Sequence, residues 1–308
     1  MTPSNRMLPA VALLALGILG ISTASLWIRL HPGPSDDLAF RRLALALPLL
    51  VAWTLSSRQR LWPRTDERGR VILSGLFLAA HFQLWIVSLD HLPVATSLIL
   101  MNTHPIMVLG LELVSRRSPV RVGALVGVLL AVVGASWLVG SESLASEGSR
   151  VGVHYALGAA AGLAGYLLVG RSLQRTMAPS SYVVGVYGVA ALALAVFQEA
   201  RGAVLWPRSG EEWQLALLLA LFPTVFGHTP LNAALRRLPA SVISTAYLGE
   251  VVGASLLVWL FLDERPPSDF FGGATLIALG IVLVTVTGGR ASRPVANGRR
   301  DGPPSPEG

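Results

Sequence analysis

One carboxyl group, that of Glu250, lies within a long apolar run of this 308-residue chain. Burying an ionisable side chain at bilayer depth costs at least about 2.5–3.5 kcal/mol, so such residues usually have a function. A carboxyl group in an apolar environment favours its neutral form and can exchange a proton near neutral pH, which suits a proton carrier or a partner for a cationic substrate. The alternative is a neutral Glu250 that only hydrogen-bonds to a neighbouring helix. Tyr247 lies on the same helix face by its i, i+3 spacing.

Two pairs of polar and aromatic residues recur at helical spacing. His81 and Trp85 are four residues apart, as are His228 and Asn232, so each pair lies on one face of a helix. Together they predict a polar cavity with an aromatic wall, suited to an organic substrate. Alternatively, these groups only link neighbouring helices, at about 0.6 kcal/mol per hydrogen bond. For His228 the adjacent Gly227 favours that structural role.

Further candidates lie near helix ends and breaks. Arg42, a few residues into an apolar run, could attract an anionic group or lock an outer gate by pairing with a carboxylate. Its neighbour Arg41 is expected to extend to the membrane interface. Asn102 and His104 flank the helix break that Pro105 imposes, and are candidate cavity residues. The sequence has neither Cys nor an HExxH motif, and predicts no catalytic residue, metal site or cofactor.

The composition indicates the element that must position these residues, a membrane-spanning helix. Hydrophobic residues make up 53% of the chain and charged residues 13%, with a mean hydropathy of +0.60. Soluble domains carry about 25% charged residues, so this chain lacks the polar surface to cover itself in water. Runs long enough to span a bilayer centre near residues 7–28, 38–56, 71–89, 94–114, 121–140, 152–170, 181–199, 213–233, 241–262 and 269–287.

The distribution of arginine predicts how the chain is oriented in the membrane. Arginine alone carries the positive charge, because the chain contains no Lys and has a net charge of +7. If the N-terminus is cytoplasmic and the helices alternate, most loop arginines fall inside, as the positive-inside rule requires. This distribution explains the basic charge without nucleic acid as a partner. Both termini are therefore predicted to be cytoplasmic, in the plasma (cell inner) membrane. The loop arginines left outside are Arg29, Arg150, Arg201, Arg208 and Arg265.

The chain also repeats itself, since residues 92–140 are echoed by residues 238–286 at a constant offset of 146. Gly127 and Gly134 recur as Gly273 and Gly280, which predicts close packing of the fifth and tenth helices. These helices are also candidates for a homodimer contact. Equivalent helices are five apart, an odd number, so they must run in opposite directions as an inverted repeat. The predicted division is residues 1–145, residues 146–287 and a disordered cytoplasmic tail over 288–308.

Several stretches resemble the drug/metabolite transporter superfamily, in particular its EamA-type ten-helix members. They are HFQLWIVSLDHLPVATSLILMNTHP (81–105), PTVFGHTPLNAALRRLPASVISTAYLGE (223–250), VVGASLLVWLFLDE (251–264), YLLVGRSLQR (166–175) and AFRRLALA (39–46). The resemblance covers about residues 7–287. It implies an all-α integral membrane fold of two inverted five-helix repeats, and substrates drawn from amino acids, metabolites and drugs.

Two departures from the family pattern bear on mechanism. The family commonly has Glu-Pro in the middle of helix nine, whereas here Val251 follows Glu250, which predicts a weaker kink. The acidic residue that the family has at the cytoplasmic end of helix four falls near Ser118 in this chain. Its second-repeat equivalent is kept as Glu264, a candidate gating residue.

The sequence thus favours a secondary transporter that moves a small organic molecule across the plasma membrane, outward, by alternating access driven by protons or exchange. The chain has no GxxxxGK[ST] loop that would indicate an ATP-driven engine. Two alternatives use the same helical scaffold. An intramembrane enzyme would need a paired nucleophile and base, and a passive channel would need rings of like residues.

Overall fold

A computed structural model describes residues 3–32, 35, 37–92, 94–114, 122–137, 147–263 and 270–289, and the regular elements in these residues are all helical. The helices form ten segments, which we number α1 to α10 in chain order. Six are continuous: α2 (Leu38–Ser56), α3 (Thr65–Leu89), α5 (Val122–Trp137), α6 (Glu147–Leu173), α7 (Pro179–Ala200) and α10 (Phe270–Gly289).

Four segments are interrupted. They are α1 (Pro3–Ser22 and Ala24–Arg29), α4 (Val94–Met101 and His104–Val114), α8 (Gly210–Leu219, the π-helix Ala220–His228 and Thr229–Ala234) and α9 (Ala240–Tyr247 and Gly249–Leu262).

The length and composition of these segments fit a bilayer. Within the described residues, seven helices are long and apolar enough to cross a membrane, and three shorter apolar helices lie in α4, α5 and α10. The predicted all-helical fold of about ten membrane helices is confirmed. It follows from the apolar composition, because only intrahelical hydrogen bonds can satisfy a backbone surrounded by lipid.

The breaks in α4 and α9 fall at related places in the two halves. In α4 the first helix ends at Met101 and the second begins at His104, next to Pro105, which has no N–H to donate. No proline follows Glu250 in α9, yet that segment is also interrupted, at Leu248, and Gly249 begins its second helix. Discontinuous helices in membrane proteins leave polar groups near the bilayer midplane, where transporters bind their substrates.

The π-helix in α8 has a local cause. Pro223 and Pro230 supply no backbone N–H, so the regular hydrogen-bond ladder of an α-helix cannot form around them. Threonine hydroxyls use the carbonyls five residues earlier: Thr224 donates to Leu219 O at 3.1 Å and Thr229 donates to Thr224 O at 3.0 Å. Single π-helical turns are frequent at functional sites.

The glycine pairs of the repeat lie at the contact between α5 and α10. A side-chain carbon at Gly134 would lie 2.6 Å from the Gly273 backbone oxygen, and one at Gly127 would lie 2.8 Å from that of Gly280. Each contact is the repeat equivalent of the other, and their order shows that the helices run antiparallel. A twofold relation between antiparallel helices requires an axis perpendicular to them, as in the predicted inverted repeat.

Other helix contacts also recur when each helix is replaced by its equivalent in the other repeat, five segments away. The packing of α3 against α6 is matched by that of α8 against α1, and the packing of α3 against α7 by that of α8 against α2. The two halves therefore pack mainly against each other, so the core and its polar residues lie between the repeats.

Candidate functional site

The central polar cluster contains Arg42 of α2, Thr224 and His228 of α8, and Tyr247 and Glu250 of α9. Each of these side chains is buried, with at most 5% of its surface exposed. Arg42 comes from the first repeat and the other four from the second. The cluster thus lies at the junction of the repeats, as expected for an inverted-repeat transporter.

Arg42 is fully buried and only partly hydrogen-bonded. Its Nε donates to Thr224 Oγ1 at 3.0 Å, and its guanidinium carbon lies 4.1 Å from the centre of the Phe82 ring. Its Nη1 and Nη2 have no hydrogen-bond partner among the described residues. A buried guanidinium with two unused nitrogens is costly, because buried charges normally need full compensation. Those nitrogens form the fork that binds a carboxylate in a bidentate manner.

Glu250 is 4% exposed and occupies the first turn of the second α9 helix. The break at Leu248 directs this turn toward the core, where Val251 is also buried. Glu250 and Arg42 are both buried in this cluster, but no ion pair of 4.0 Å or less joins these two described residues. The arrangement therefore leaves both charged groups available to a third one.

Aromatic and imidazole side chains from four helices, α3, α4, α8 and α9, contact one another in this cluster. The Tyr247 hydroxyl lies 3.0 Å from His228 Nδ1, and the His228 ring packs edge-on against Phe82 with centroids 5.0 Å apart. His104 of α4 lies edge-on to Tyr247 at 5.6 Å, and its Nδ1 lies 3.1 Å from Met101 O. The predicted residues His104, His228 and Tyr247 therefore lie in one continuous set of contacts.

Of the two roles that the sequence allows, His81 takes the structural one, a link between helices, and Trp85 fits the lining of a cavity. His81 Nδ1 lies 3.0 Å from Ala159 O, so this ring nitrogen links α3 to α6. The His81 ring also stacks on Trp85, with planes 5° apart and centroids 6.5 Å apart, and it lies 6.5 Å from His228. Trp85 Nε1 is buried and has no hydrogen-bond partner in the part of the chain that the structure describes. Trp85 thus offers an unused donor beside the aromatic wall.

The two asparagines lie in the core but use their side chains locally. Asn102 Nδ2 donates to Leu98 O at 2.8 Å within α4, and Asn232 Nδ2 donates to the Tyr187 hydroxyl of α7 at 3.1 Å. Both side-chain carbonyl oxygens remain without a partner. They therefore keep an acceptor free, although the structure does not place them in contact with Arg42. Their predicted role in binding stays a prediction.

Arg41 contradicts the expectation that it extends to the membrane interface. It is 2% exposed and forms ion pairs with Asp37 and, at 3.0 Å, with Glu212 of α8. Its remaining N–H groups donate to the carbonyls of the loop before α8, including Leu205 O at 3.1 Å. We call this set of contacts the outer network. The partners explain the difference, because Glu212 and the loop lie too far along the chain to be foreseen from spacing.

His31 lies beside the outer network, in the loop after α1. Its burial and the nearby positive charge of Arg41 lower the pKa of its imidazole, so His31 is neutral at physiological pH. The outer network therefore carries its charge on Arg41, Asp37 and Glu212 alone.

Sequence reasoning missed two neighbours of Arg42. Thr224 accepts its hydrogen bond and Phe82 lies under its guanidinium. Thr224, His228 and Asn232 are spaced four residues apart, so the periodicity that selected the last two also pointed to Thr224. Phe82 gave no such signal, because an aromatic residue within an apolar run is ordinary. The predicted gating residue Glu264 and the position near Ser118 lie outside the described residues.

Comparison with known proteins identifies a family. The sequence profile described as the EamA-like transporter family matches the chain twice, over residues 7–140 and 150–286. The chain is 26% identical over 254 residues to the uncharacterized transporter YwfM of Bacillus subtilis, covering 80% of this chain and 82% of that protein. It is 27% identical over 250 residues to the threonine/homoserine exporter RhtA of Escherichia coli K12, covering 80% of this chain and 79% of that protein.

A solved structure has the same fold. A protein crystal structure superposes on this chain with a TM-score of 0.76. The two sequences are 17% identical, and the match covers 91% of this chain and 98% of the other. The arrangement of helices in this chain therefore also occurs in a crystal structure.

Proposed function

This chain belongs to the EamA-like transporter family, and we propose that it exports a small amino acid or a similar carboxylate metabolite by alternating access. Its relatives include threonine/homoserine exporters of Salmonella typhimurium and Escherichia coli. In this proposal the carboxylate of the substrate binds the Nη1 and Nη2 groups of Arg42. The ammonium group of the substrate, or a proton in its absence, binds Glu250.

The observation that carries the proposal is the unused guanidinium fork of Arg42 in the middle of the protein. A substrate carboxylate supplies the two acceptors that the fork lacks and the negative charge that its burial requires. No other arrangement in the described residues combines a fully buried cation with a nearby carboxyl group that is not ion-paired to it.

The neighbouring side chains suit the rest of an amino acid. Phe82, Trp85 and His81 form an apolar and aromatic wall beside the two charges. The unpartnered Trp85 Nε1 could donate a hydrogen bond to a polar substrate side chain, such as a hydroxyl, and so favour its binding. Threonine and homoserine are therefore the first substrates to test.

Alternating access rests on the relation between the two repeats. The outer network closes the predicted external side by linking α2 to α8 and to the loop before it. In the exchanged conformation, the same rocking of the repeats opens this side and closes the other. Glu250 accepts a proton or an ammonium group in one conformation and releases it in the other, which couples export to a gradient.

Transport by the purified protein in proteoliposomes tests this proposal. We expect labelled threonine or homoserine to be carried with saturation, and Arg42→Gln to lower the initial rate by about 100-fold or more, because two charge-assisted hydrogen bonds of about 1.5–3 kcal/mol each are lost. Arg42→Lys keeps the charge without the fork, and should give an intermediate rate. The matched control is Arg68→Gln, an exposed arginine that should leave transport unchanged. Full activity of Arg42→Gln would contradict the proposal.

A further inference from the structure

A cavity of about 260 Å³ lies far from the central cluster, between the loop joining α2 to α3 and the loop joining α6 to α7. We call it the loop pocket. Its basic wall consists of Arg58, Arg60 and Arg64, and Trp62 lies among them. Its other wall includes Thr176, in the loop after α6, and Ser181, in the first turn of α7. The loop pocket thus bridges the two repeats on the side that the arginine distribution predicts to be cytoplasmic.

The backbone of the α2–α3 loop holds the arginines in place. Arg58 adopts a left-handed conformation with φ of 52°, and its N–H donates to Leu55 O at 2.9 Å. The next residue, Gln59, donates from its N–H to Thr54 O at 3.0 Å. At the other end, the Arg64 N–H donates to Glu67 Oε2 at 3.0 Å, which begins α3. The turn at both ends is therefore defined by hydrogen bonds.

The loop pocket carries a net positive charge, since three arginines and one glutamate line it. Arg58, Arg60 and Arg64 form no ion pair with a described residue, and the single acidic residue in the lining, Glu67, is buried and already accepts the Arg64 N–H. The first turn of α7 adds backbone N–H groups with no intrahelical acceptor, which favour an anion. Three arginines and a helix N-terminus around one cavity match the chemistry of a phosphate group.

The exposure of Trp62 favours a phosphate that belongs to a lipid headgroup over a free phosphate ion. Its side chain is 81% exposed, although it is large and apolar. Tryptophan concentrates at the membrane interface, where its ring lies at the level of the lipid headgroups. Basic pockets between transmembrane helices on the cytoplasmic side bind acidic lipid headgroups. A free phosphate ion would use the arginines but would gain nothing from Trp62.

We propose that the loop pocket binds the phosphate headgroup of an anionic phospholipid from the cytoplasmic leaflet. Arg58, Arg60 and Arg64 contact the phosphate, and Trp62 packs against the glycerol and upper acyl region of the same lipid. Because the pocket has one wall from each repeat, a bound lipid stabilises the conformation in which these walls are close.

Titration of the full-length protein in detergent with phosphatidylglycerol, followed by thermal unfolding, tests the proposal. We expect phosphatidylglycerol to raise the melting temperature, and phosphatidylcholine or inorganic phosphate at equal concentration to have little effect. In the triple variant Arg58→Gln, Arg60→Gln, Arg64→Gln the titration midpoint should rise about 100-fold, since each arginine near an anionic surface contributes about a factor of five. Each single variant should shift it about fivefold, which keeps the test valid if the triple variant does not fold.

The matched control is the triple variant Arg68→Gln, Arg236→Gln, Arg237→Gln. It removes the same charge from exposed positions on the same predicted side, outside the loop pocket. We expect its midpoint to shift by less than about threefold. Equal losses in the two triple variants would overturn the proposal, because the attraction would then be a general surface effect. Stabilisation by inorganic phosphate that matches that by phosphatidylglycerol would also overturn it.

Discussion

Arg41 and Arg42 are adjacent in the chain and both are buried, yet they belong to opposite kinds of environment. Arg41 lies in the outer network, where two carboxylates pair with its guanidinium and three backbone carbonyls accept hydrogen bonds from it. Arg42 lies in the central cluster, where only its Nε has a partner. Burial therefore does not distinguish a structural arginine from a binding one. The difference lies in how many of the donors are already satisfied.

The physical reason is the cost of an uncompensated charge. A buried ion pair with full hydrogen bonding is compatible with stability, whereas a buried charge without partners is strongly unfavourable. Native proteins leave few buried polar groups unsatisfied, so an unsatisfied buried cation requires an explanation. By this criterion the outer network is a structural contact, and the central cluster is the proposed substrate site.

Glu250→Gln should give a loss of transport comparable to that of Arg42→Gln, and it also leaves the outer network intact. Glutamine keeps the shape of the side chain but cannot carry a proton or a negative charge. We expect the transport rate to fall about 100-fold, because the ammonium group then loses a charged partner, and the remaining rate to become independent of an imposed pH gradient. The measurement is flux into proteoliposomes at several pH differences. Unchanged proton dependence in this variant would remove Glu250 from the coupling mechanism.

Parallel substitutions of the two arginines test the comparison directly. Arg41→Gln should lower the melting temperature by about 2–6 °C, because it leaves two carboxylates without their cation. Arg42→Gln should leave the melting temperature unchanged or raise it, because it removes a buried charge that has few partners. Thermal unfolding of both variants in the same detergent measures the contrast. If Arg42→Gln were the more destabilising of the two, the assignment of Arg42 to binding would be wrong.

Thr224→Val should have the smallest effect of the set. It removes the one acceptor that orients Arg42 and keeps the volume of the side chain. The loss of one hydrogen bond to a charged group predicts a substrate affinity about 10-fold weaker, with a melting temperature close to that of the wild type. A substrate titration of the transport rate measures it. Ser255→Val is a suitable control, because the Ser255 hydroxyl donates only within α9, to Val251 O.

Much of the fold was predictable from the chain. Apolar runs of membrane-spanning length gave the helices, and Gly127 and Gly134 with their counterparts gave the contact between α5 and α10. The break in α9 was not predictable, since the expected proline is absent and the helix is interrupted at Leu248 all the same. Local sequence identifies a proline kink, but packing against neighbouring helices decides where a helix without proline is interrupted.

The sequence by itself determined that Arg42, Glu250, His104, His228 and Tyr247 are polar residues within apolar helices of an inverted repeat. Their types and spacing were enough, because the bilayer makes any such residue exceptional. Only the tertiary structure decided that Arg42 has two unused nitrogens while Arg41 has none. Hydrogen-bond partners such as Thr224 and Glu212 are more than 160 residues away along the chain. Satisfaction of a buried charge depends on such distant groups, so no local pattern can reveal it.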